Sequence, residues 1–329
     1  MAQATSATGA GDRLPAGIAI IGPTGSGKSA LAMRLADVLP VEIISVDSAQ
    51  VYRGLDIGTA KPTAAERRAV PHHLLDVRDP AGSYSAGEFR ADCLALIHDI
   101  SARGRIPLLV GGTMLYYRAL FGGIAALPRA DEALRSALDA RAAHEGWPAL
   151  HAQLAAQDPA GAARIHPHDA QRIQRALEVL ALSGRALAAH WADADAPTGL
   201  FAGWTLCMLE PAARAPLHAV LAGRLTSMLR DGFVDEVRRL LALGLDADAP
   251  ALRLVGYRQL ALYCRGQESL EIAAAMALAA TRQLAKRQLT WMRGTKLLPY
   301  GARVLRSDPF DLHSVAALTR GLIEGAMTP

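Results

Sequence analysis

A glycine-rich segment with one lysine and one serine is the first place where the chain could perform chemistry. Residues 22–29 read GPTGSGKS and match the full G-x-x-x-x-G-K-[ST] pattern. Glycines let backbone N–H groups point into a concave nest, and a following helix N-terminus adds partial positive charge. A lysine suits phosphate oxygens, and a serine hydroxyl suits Mg²⁺. We therefore predict a polyphosphate site formed by Gly22, Pro23, Thr24, Gly25, Ser26, Gly27, Lys28 and Ser29.

A carboxylate follows the second apolar run of the chain. Residues 41–46 read as a strand that ends at Asp47. We expect this strand beside the first one, which would place Asp47 at the carboxyl edge of the sheet near the phosphates. Asp47 could accept a proton from a nucleophile there, or it could cap a loop or hold metal-bound water. The adjoining Ser48, Ala49 and Gln50 add hydrogen-bonding capacity, and glutamine can read an adenine edge.

The glycine-rich segment does not specify which polyphosphate binds. An ATP-hydrolysing enzyme normally has an acidic residue at the end of a later strand to hold the metal. The apolar run 106–110 instead continues into Gly111, Gly112 and Thr113, without a carboxylate. This pattern argues against an ATP-driven motor and leaves a small-molecule kinase as an alternative.

The surrounding pattern predicts the elements that must position these residues. Short apolar runs at 18–21, 41–46 and 106–110 indicate strands, and residues 73–77 indicate a further short strand. Ser85, with Glu88 three residues later, predicts the start of a helix. Strands that alternate with helices are typical of a parallel sheet. We predict an α/β fold, a P-loop NTPase-like parallel sheet flanked by helices.

A second region follows a different pattern. Residues 129–195 are rich in alanine and have helical periodicity without a strand, whereas residues 204–209 again read as a strand. This predicts an all-helical insertion domain in the α/β core. The resulting domains are a flexible leader (1–17), the first part of the core (18–128), the insertion (129–195) and the second part of the core (196–329).

Composition excludes several classes of protein. The chain has 329 residues, of which 51% are apolar, but no apolar run is long enough to span a membrane. The three cysteines are scattered without a CxxC pair, which argues against a zinc site or a disulfide framework. We expect a cytoplasmic protein. Net charge is only +4, but residues 281–320 carry eight Lys or Arg against two Asp: Arg282, Lys286, Arg287, Arg293, Lys296, Arg303, Arg306 and Arg320. This local basic surface suits a polyanion, and a solvated helix face is the alternative interpretation of the same residues.

Several blocks together resemble the signature of one enzyme family. The segment 47–62, DSAQVYRGLDIGTAKP, is the most specific of them. With the motifs at 22–29, 110–113, 171–175, 256–259 and 281–288, it is similar to bacterial tRNA dimethylallyltransferases (tRNA isopentenyltransferases). The resemblance extends from about residue 18 to residue 300. It implies transfer of a dimethylallyl group from dimethylallyl diphosphate to N6 of the adenosine 3′-adjacent to the anticodon (tRNA position 37), with release of diphosphate.

The resemblance also implies roles for individual residues. The glycine-rich loop would hold the diphosphate, Asp47 would be the general base, and Thr113 would contact substrate. Lys28, Arg224 and a Mg²⁺ ion at Ser29 would offset the charge of the leaving group.

The anticodon stem-loop of tRNA is the implied macromolecular substrate. Gln171, Gln174 and Arg175 would share one helix face, and Arg282, Lys286 and Arg293 would form a stripe along another helix. The full implied tRNA-binding set is Asp47, Ser48, Ala49, Gln50, Arg135, Gln171, Arg172, Ile173, Gln174, Arg175, Gly256, Tyr257, Arg258, Arg282, Lys286, Arg287 and Arg293.

Other interpretations stay open at this point. An adenylate isopentenyltransferase would prenylate AMP and would not need the predicted tRNA-binding helices. A P-loop small-molecule kinase and a tRNA-binding module without catalysis are further alternatives, although Lys28, Ser29 and Asp47 argue against the last. We expect the protein to be a monomer without membrane association.

Overall fold

The computed structural model describes residues 13–123, 127–192, 199–246, 249–294 and 298–327. The chain divides into two compact units, one made of residues 1–122 with 198–329 and the other of residues 123–197. Most of the predicted leader, the predicted end of the insertion at Asp195, and Lys296 lie outside the described residues. No helix in the described ranges has the length and apolar character of a membrane span.

Unit 1 is built on a six-stranded sheet in which every neighbouring pair is parallel. Its strands are β1 (Ile18–Ile21), β2 (Val41–Val46), β3 (His72–His73), β4 (Ile106–Gly111), β5 (Thr205–Leu209) and β6 (Arg303–Ser307). Their order is β3-β2-β4-β1-β5-β6. The expectation that β2 adjoins β1 is wrong, because β4 lies between them. β1, β2 and β4 still end at the same edge, so the predicted residues remain on that edge.

Helices cover both faces of this sheet. Ala19 and Ile21 belong to one buried cluster, whereas Ile18 and Ile20 belong to another on the opposite face. Burial on both faces explains why the central strands read as continuous apolar runs. The helices of unit 1 are α1 (Lys28–Ala36), α2 (Ala64–Ala69), α3 (Ala86–Ala102), α4 (Met114–Gly122), α10 (Arg214–Arg230), α11 (Phe233–Leu241), α12 (Tyr257–Cys264), α13 (Leu270–Met292) and α14 (Leu312–Met327).

Local sequence signals explain where several of these elements begin. The Ser85 hydroxyl accepts from the Glu88 N–H, and the Glu88 carboxylate accepts from the Ser85 N–H, so the predicted capping box starts α3. The predicted strand at 73–77 is wrong in its bounds. Leu74 and Asp76 have positive φ values of 61° and 58°, which end β3 at His73.

The structure differs from the sequence-based expectation at Leu14 and adds a strand, β6, for which none was made. Leu14, placed in the flexible leader, is buried, and its N–H donates to the Leu200 carbonyl at 2.9 Å. β6 was not predicted. Arg303 and Arg306 are exposed in this edge strand, and they interrupt the apolar pattern that marks a strand buried on both faces.

Unit 2 contains helices and no strand among its described residues. Its helices are α5 (Glu132–Glu145), α6 (Trp147–Gln157), α7 (Pro159–Ala162), α8 (Ala170–Ser183) and α9 (Leu187–Ala192). Leu150, Leu154 and Ile173 are fully buried in its own apolar core.

Candidate active site

The glycine-rich loop joins β1 to α1 and gives the site its first cluster of donors. Gly27 has a φ of 76°, a left-handed conformation that favours glycine, and α1 begins at the next residue, Lys28. N–H groups in the first turn of a helix lack intrahelical acceptors, so those of α1 are available to an anion. The buried Ser26 hydroxyl donates to the Pro23 carbonyl at 2.8 Å, which holds the loop closed behind them.

Gln288 on α13 ties this loop to the end of β4. Its side-chain oxygen accepts from the Thr24 N–H at 2.9 Å, and its nitrogen donates to the Gly112 carbonyl at 2.7 Å. A Cβ on Gly112 would lie 2.6 Å from that nitrogen, so the glycine is needed for this approach. The sequence motif at 281–288 contains Gln288, but the sequence alone did not reveal this bridging role.

Asp47 lies directly after β2, with one carboxylate oxygen committed to its own turn. Oδ1 accepts from the N–H groups of Ala49 at 2.8 Å and Gln50 at 3.3 Å. Within the described part of the chain, Oδ2 has no hydrogen-bond partner. Thr113 lies beside this turn, because its hydroxyl accepts from the Ser48 N–H at 3.0 Å. One oxygen of Asp47 is therefore fixed while the other can accept a proton.

Two cations share the surroundings of Asp47. Burial lowers the pKa of Lys28 to about 8, an effect that Asp47 opposes and Arg224 reinforces. Burial also lowers the pKa of Arg224, and Asp47 again opposes the change. The Lys28 ammonium donates to the Pro23 carbonyl at 2.7 Å. Two cations close to one carboxylate give this site an affinity for anions.

Two adjoining cavities meet at these residues. The smaller, about 130 Å³, is lined by the P-loop residues Lys28 and Ser29, and the larger, about 470 Å³, extends along α10, α12 and α13. Both are lined by Thr24, Asp47, Thr59, Gly112, Arg224 and Gln288. Asp47 and Arg224 therefore stand where a ligand at the P-loop would meet a ligand in the larger cavity. A third cavity of about 710 Å³ lies against the segment 56–67 and also includes Arg224.

A buried carboxylate on α11 fixes the wall shared by these cavities. Glu236 is 3% exposed, and its Oε2 accepts from the N–H groups of Asp56 and Ile57, each at 2.8 Å. Its Oε1 accepts from the Gly58 N–H at 2.9 Å and from the Tyr257 hydroxyl at 2.6 Å. Burial and the contact with Glu236 raise the pKa of Tyr257. Glu236 on α11 therefore accepts from four neutral donors, which together hold the segment 47–62 (the signature segment) against α11 and α12.

Glu236 was missed in the sequence, although a signal for it exists. It lies three residues after Phe233 and four before Leu240, on the apolar face of an amphipathic helix. A carboxylate on such a face must find donors inside the protein. On the same wall, buried Lys61 donates to Asp56 and Asp76, each at 2.7 Å.

The family model described as IPP transferase matches residues 50–295. The chain belongs to the IPP transferase family.

Named relatives and solved structures agree with this membership. A tRNA dimethylallyltransferase of Methylibium petroleiphilum is 54% identical over 311 residues, which are 93% of this chain and 94% of the relative. One from Bordetella pertussis is 57% identical over 282 residues, covering 84% and 89% of the two chains. The crystal structure of a tRNA isopentenylpyrophosphate transferase from Bacillus halodurans has a TM-score of 0.64 at 35% identity and covers 94% of this chain and 96% of its own.

A eukaryotic dimethylallyltransferase acting on tRNA has a TM-score of 0.77 at 26% identity, with 93% of this chain and 77% of that chain covered. These comparisons confirm the family resemblance, the fold class and the assignment as a transferase that were predicted from the sequence.

The side-chain oxygens near the P-loop of this IPP transferase fit a magnesium ion whose other ligands are phosphate oxygens of the substrate. The described residues contain no cluster of three or more His, Cys, Asp or Glu side chains that could hold a metal. Ser29 and Asp47 line the same small cavity as Lys28. Mg²⁺ commonly takes one or two protein oxygens together with substrate phosphates, so this set of oxygens is compatible with it.

The predicted tRNA-binding residues near Asp47 differ in whether their polar groups already have partners within the protein. The Gln50 amide accepts from the Ser45 hydroxyl and donates to the carbonyls of Thr59 and Ala60, so it already holds the loop. Tyr257 is only 1% exposed, and its hydroxyl is committed to Glu236, so it builds the cavity wall. Ser48 and Arg258 are exposed, and Ser48, Ala49 and Gly256 line the large cavity.

In unit 2 several predicted contacts are engaged internally. Arg135 and Arg175 both donate to the fully buried Glu178, at 2.9 Å and 2.5 Å. Gln174 donates to Asp139 at 2.8 Å. These three side chains therefore contribute to the helix packing of the unit.

The other predicted tRNA contacts on α8 comprise one buried residue and two exposed residues. Ile173 is fully buried, so its prediction as a tRNA contact is wrong; it points into the core of unit 2. Gln171 and Arg172 are exposed, and Arg172 has only a 3.4 Å ion pair with Asp169.

The basic residues of α13 lie on two different sides of the helix. Arg287 lines the large cavity. With 3.6 residues per turn, the predicted stripe of Arg282, Lys286 and Arg293 lies about 100–140° around the helix from Arg287. Lys286 and Arg293 are exposed, whereas the Nε atom of Arg282 is buried.

Proposed function

We propose that this protein transfers the dimethylallyl group of dimethylallyl diphosphate to N6 of the adenosine 3′-adjacent to the anticodon, at tRNA position 37. The observation that carries the proposal is the position of Asp47 and Arg224, which line both the P-loop cavity and the larger cavity. Family membership supports the same reaction, since relatives over 50% identical are named tRNA dimethylallyltransferases.

The prenyl diphosphate would bind with its phosphates in the P-loop cavity. Lys28, Arg224 and the N–H groups at the start of α1 would bind the phosphate oxygens there. Ser29 would hold Mg²⁺ together with those oxygens, and the ion would supply further neutralisation of the diphosphate charge. Gln288 would keep the loop in position through Thr24 and Gly112.

The adenine would approach Asp47 from the large cavity. Its N6 forms a bond to C1 of the prenyl group while the bond from C1 to the diphosphate oxygen breaks, and the electron pair leaves with diphosphate. Asp47 Oδ2 takes the N6 proton, because Oδ1 is held by Ala49 and Gln50. An exocyclic amine is a weak nucleophile, so alignment and stabilisation of the leaving group must supply much of the rate.

The experiment is nucleoside mass spectrometry of tRNA incubated with the protein, Mg²⁺ and dimethylallyl diphosphate. The proposal expects one prenyl unit on adenosine, located next to the anticodon by nuclease mapping. Parallel reactions with AMP as acceptor, and with ATP and small-molecule acceptors, test an adenylate isopentenyltransferase and a kinase. Prenylation of AMP in preference to tRNA, or phosphate transfer from ATP, would replace the proposal.

A further inference from the structure

Two large apolar side chains are exposed at the edge of the large cavity. Trp291, near the end of α13, is 38% exposed, and Leu115, in the first turn of α4, is 54% exposed. Both line the cavity that contains Asp47. Neither side chain takes part in the transfer described above, and exposed apolar surface beside a binding cavity is commonly a contact surface.

The charges around Trp291 indicate what covers it. Arg287 lies one helical turn earlier on α13 and lines the same cavity, and Arg253 lines it from the segment before α12. The Arg118 guanidinium carbon lies 5.9 Å from the centre of the Trp291 ring. An aromatic face among arginines suits a ligand with both a flat ring and phosphates.

We propose that Trp291, with Leu115 beside it, forms a stacking subsite for an unpaired base that neighbours the target adenosine of the RNA substrate. This inference rests on the proposed function. It adds a contact that would hold the anticodon loop after the target adenine has left the base stack. Sequence-selective and sequence-tolerant recognition of single-stranded RNA both use stacking on aromatic rings. Arg287 and Arg253 then bind phosphates on either side of the stacked base.

Contact between Trp291 and the prenyl chain of the donor is the competing explanation for this exposed side chain. The diphosphate is assigned to the P-loop cavity, which Trp291 does not line. Of the three cavities described above, Trp291 lines only the large one, and its side chain is partly open to solvent there. A base that remains partly solvated fits this exposure, whereas a prenyl chain would be expected where water is excluded.

The experiment compares Trp291→Ala and Trp291→Phe with Met276→Ala, a matched control. Met276 is on the same helix, is 41% exposed, and lines none of the three cavities described above. Stacking contributes about 1–3 kcal/mol per base, so Trp291→Ala should raise the KM for tRNA roughly 5- to 150-fold. Trp291→Phe keeps a ring and should raise it much less. The KM for dimethylallyl diphosphate and the melting temperature should not change.

A binding measurement keeps the test independent of turnover. An anticodon stem-loop should quench the tryptophan fluorescence of the wild type, and most of that quenching should disappear in Trp291→Phe. An unchanged KM for tRNA in Trp291→Ala, or an increase confined to dimethylallyl diphosphate, would overturn the subsite. If the wild type itself does not prenylate tRNA, the proposed function fails instead, and the wild-type reaction separates the two failures.

Discussion

Two of the buried carboxylates among the described residues, Glu236 in unit 1 and Glu178 in unit 2, have partners that differ in kind. Glu236 in unit 1 is surrounded by four neutral donors, three of them backbone N–H groups of the signature segment. Glu178 in unit 2 is held by two arginines and one backbone N–H. A carboxylate among N–H groups fixes the shape of a loop, whereas one between arginines fixes the position of cations.

The difference affects how each region can serve function. In unit 1 the charged residues around the site, Lys28, Asp47 and Arg224, are independent of Glu236, which shapes only the wall. In unit 2 the internal carboxylate engages Arg135 and Arg175, the same arginines that the family resemblance assigns to tRNA. Their contact with tRNA phosphates would therefore compete with an existing ion pair.

The largest effect is expected when Glu236 is replaced by glutamine. One of its two oxygens becomes an NH₂ group that faces donors, so two donors lose their acceptor. At about 1–3 kcal/mol for each unsatisfied group, the free energy of unfolding should fall by roughly 2–6 kcal/mol. Urea denaturation measures this loss. Asp235→Asn, an exposed neighbour paired with Arg238, is the control and should change little. If Glu236→Gln has the stability and turnover of the wild type, Glu236 does not hold the cavity wall in place.

A smaller loss is expected for Glu178→Gln, because Arg135 and Arg175 are 40% and 28% exposed and can regain water. We expect a decrease of about 1–3 kcal/mol at pH 7. Glu145→Gln, which removes an exposed ion pair with Arg141, should have little effect. An equal decrease in the free energy of unfolding in Glu178→Gln and Glu145→Gln would show that the burial of Glu178 does not make its ion pairs more stabilising.

The pH dependence of the same pair sharpens this test. Burial alone would raise the pKa of Glu178, but hydrogen bonds from Arg135, Arg175 and the Asp131 N–H lower it below 4.5. The ionised form is therefore preferred in the folded state. Its contribution is present above about pH 4.5 and is lost as the pH falls through the folded pKa. Glu178→Gln should lose less stability than the wild type over that acidic range, and parallel curves would contradict the assignment.

The smallest effects distinguish an exposed arginine, Arg172, from one that a buried carboxylate engages, Arg175. Arg172 is 66% exposed. If it binds a tRNA phosphate, Arg172→Gln should flatten the slope of log affinity against log salt by about 0.7–0.9 without changing the melting temperature. Arg175→Gln should instead lower the melting temperature, because it leaves Glu178 with one arginine. Salt titrations and thermal melts of the two variants measure both quantities. The reverse pattern would mean that Arg175 is the available contact.

Sequence reasoning was most successful where local signals coincide with function. The P-loop, the capping box of α3 and the strand that ends at Asp47 each depend on a few neighbouring residues, and the structure has all three. The order of strands was not predictable from neighbours, so β4 was not expected between β1 and β2. Glu236 and Gln288 act across distances of more than 170 residues in the chain, through hydrogen bonds that no local pattern specifies.

The family resemblance added residues that local patterns do not identify, but it did not say which way they point. Ile173 belongs to a motif block and is nevertheless core. Arg287 faces the large cavity, whereas Lys286, its neighbour in the same block, lies on another side of α13. Helical spacing separates these two positions, as the predicted stripe of Arg282, Lys286 and Arg293 already indicated, because successive residues differ in direction by about 100°.

A single-turnover assay with Asp47→Asn is the sharpest test of whether Asp47 takes the N6 proton at the junction of the two cavities. Asparagine keeps the Oδ1 acceptor for Ala49 and Gln50, so the turn should be preserved, but its amide cannot act as a base. With tRNA and dimethylallyl diphosphate both saturating, the rate of prenyl transfer should fall by about 10²–10⁴ while the affinity for both substrates stays nearly unchanged. A rate within a few-fold of the wild type would rule out Asp47 as the general base.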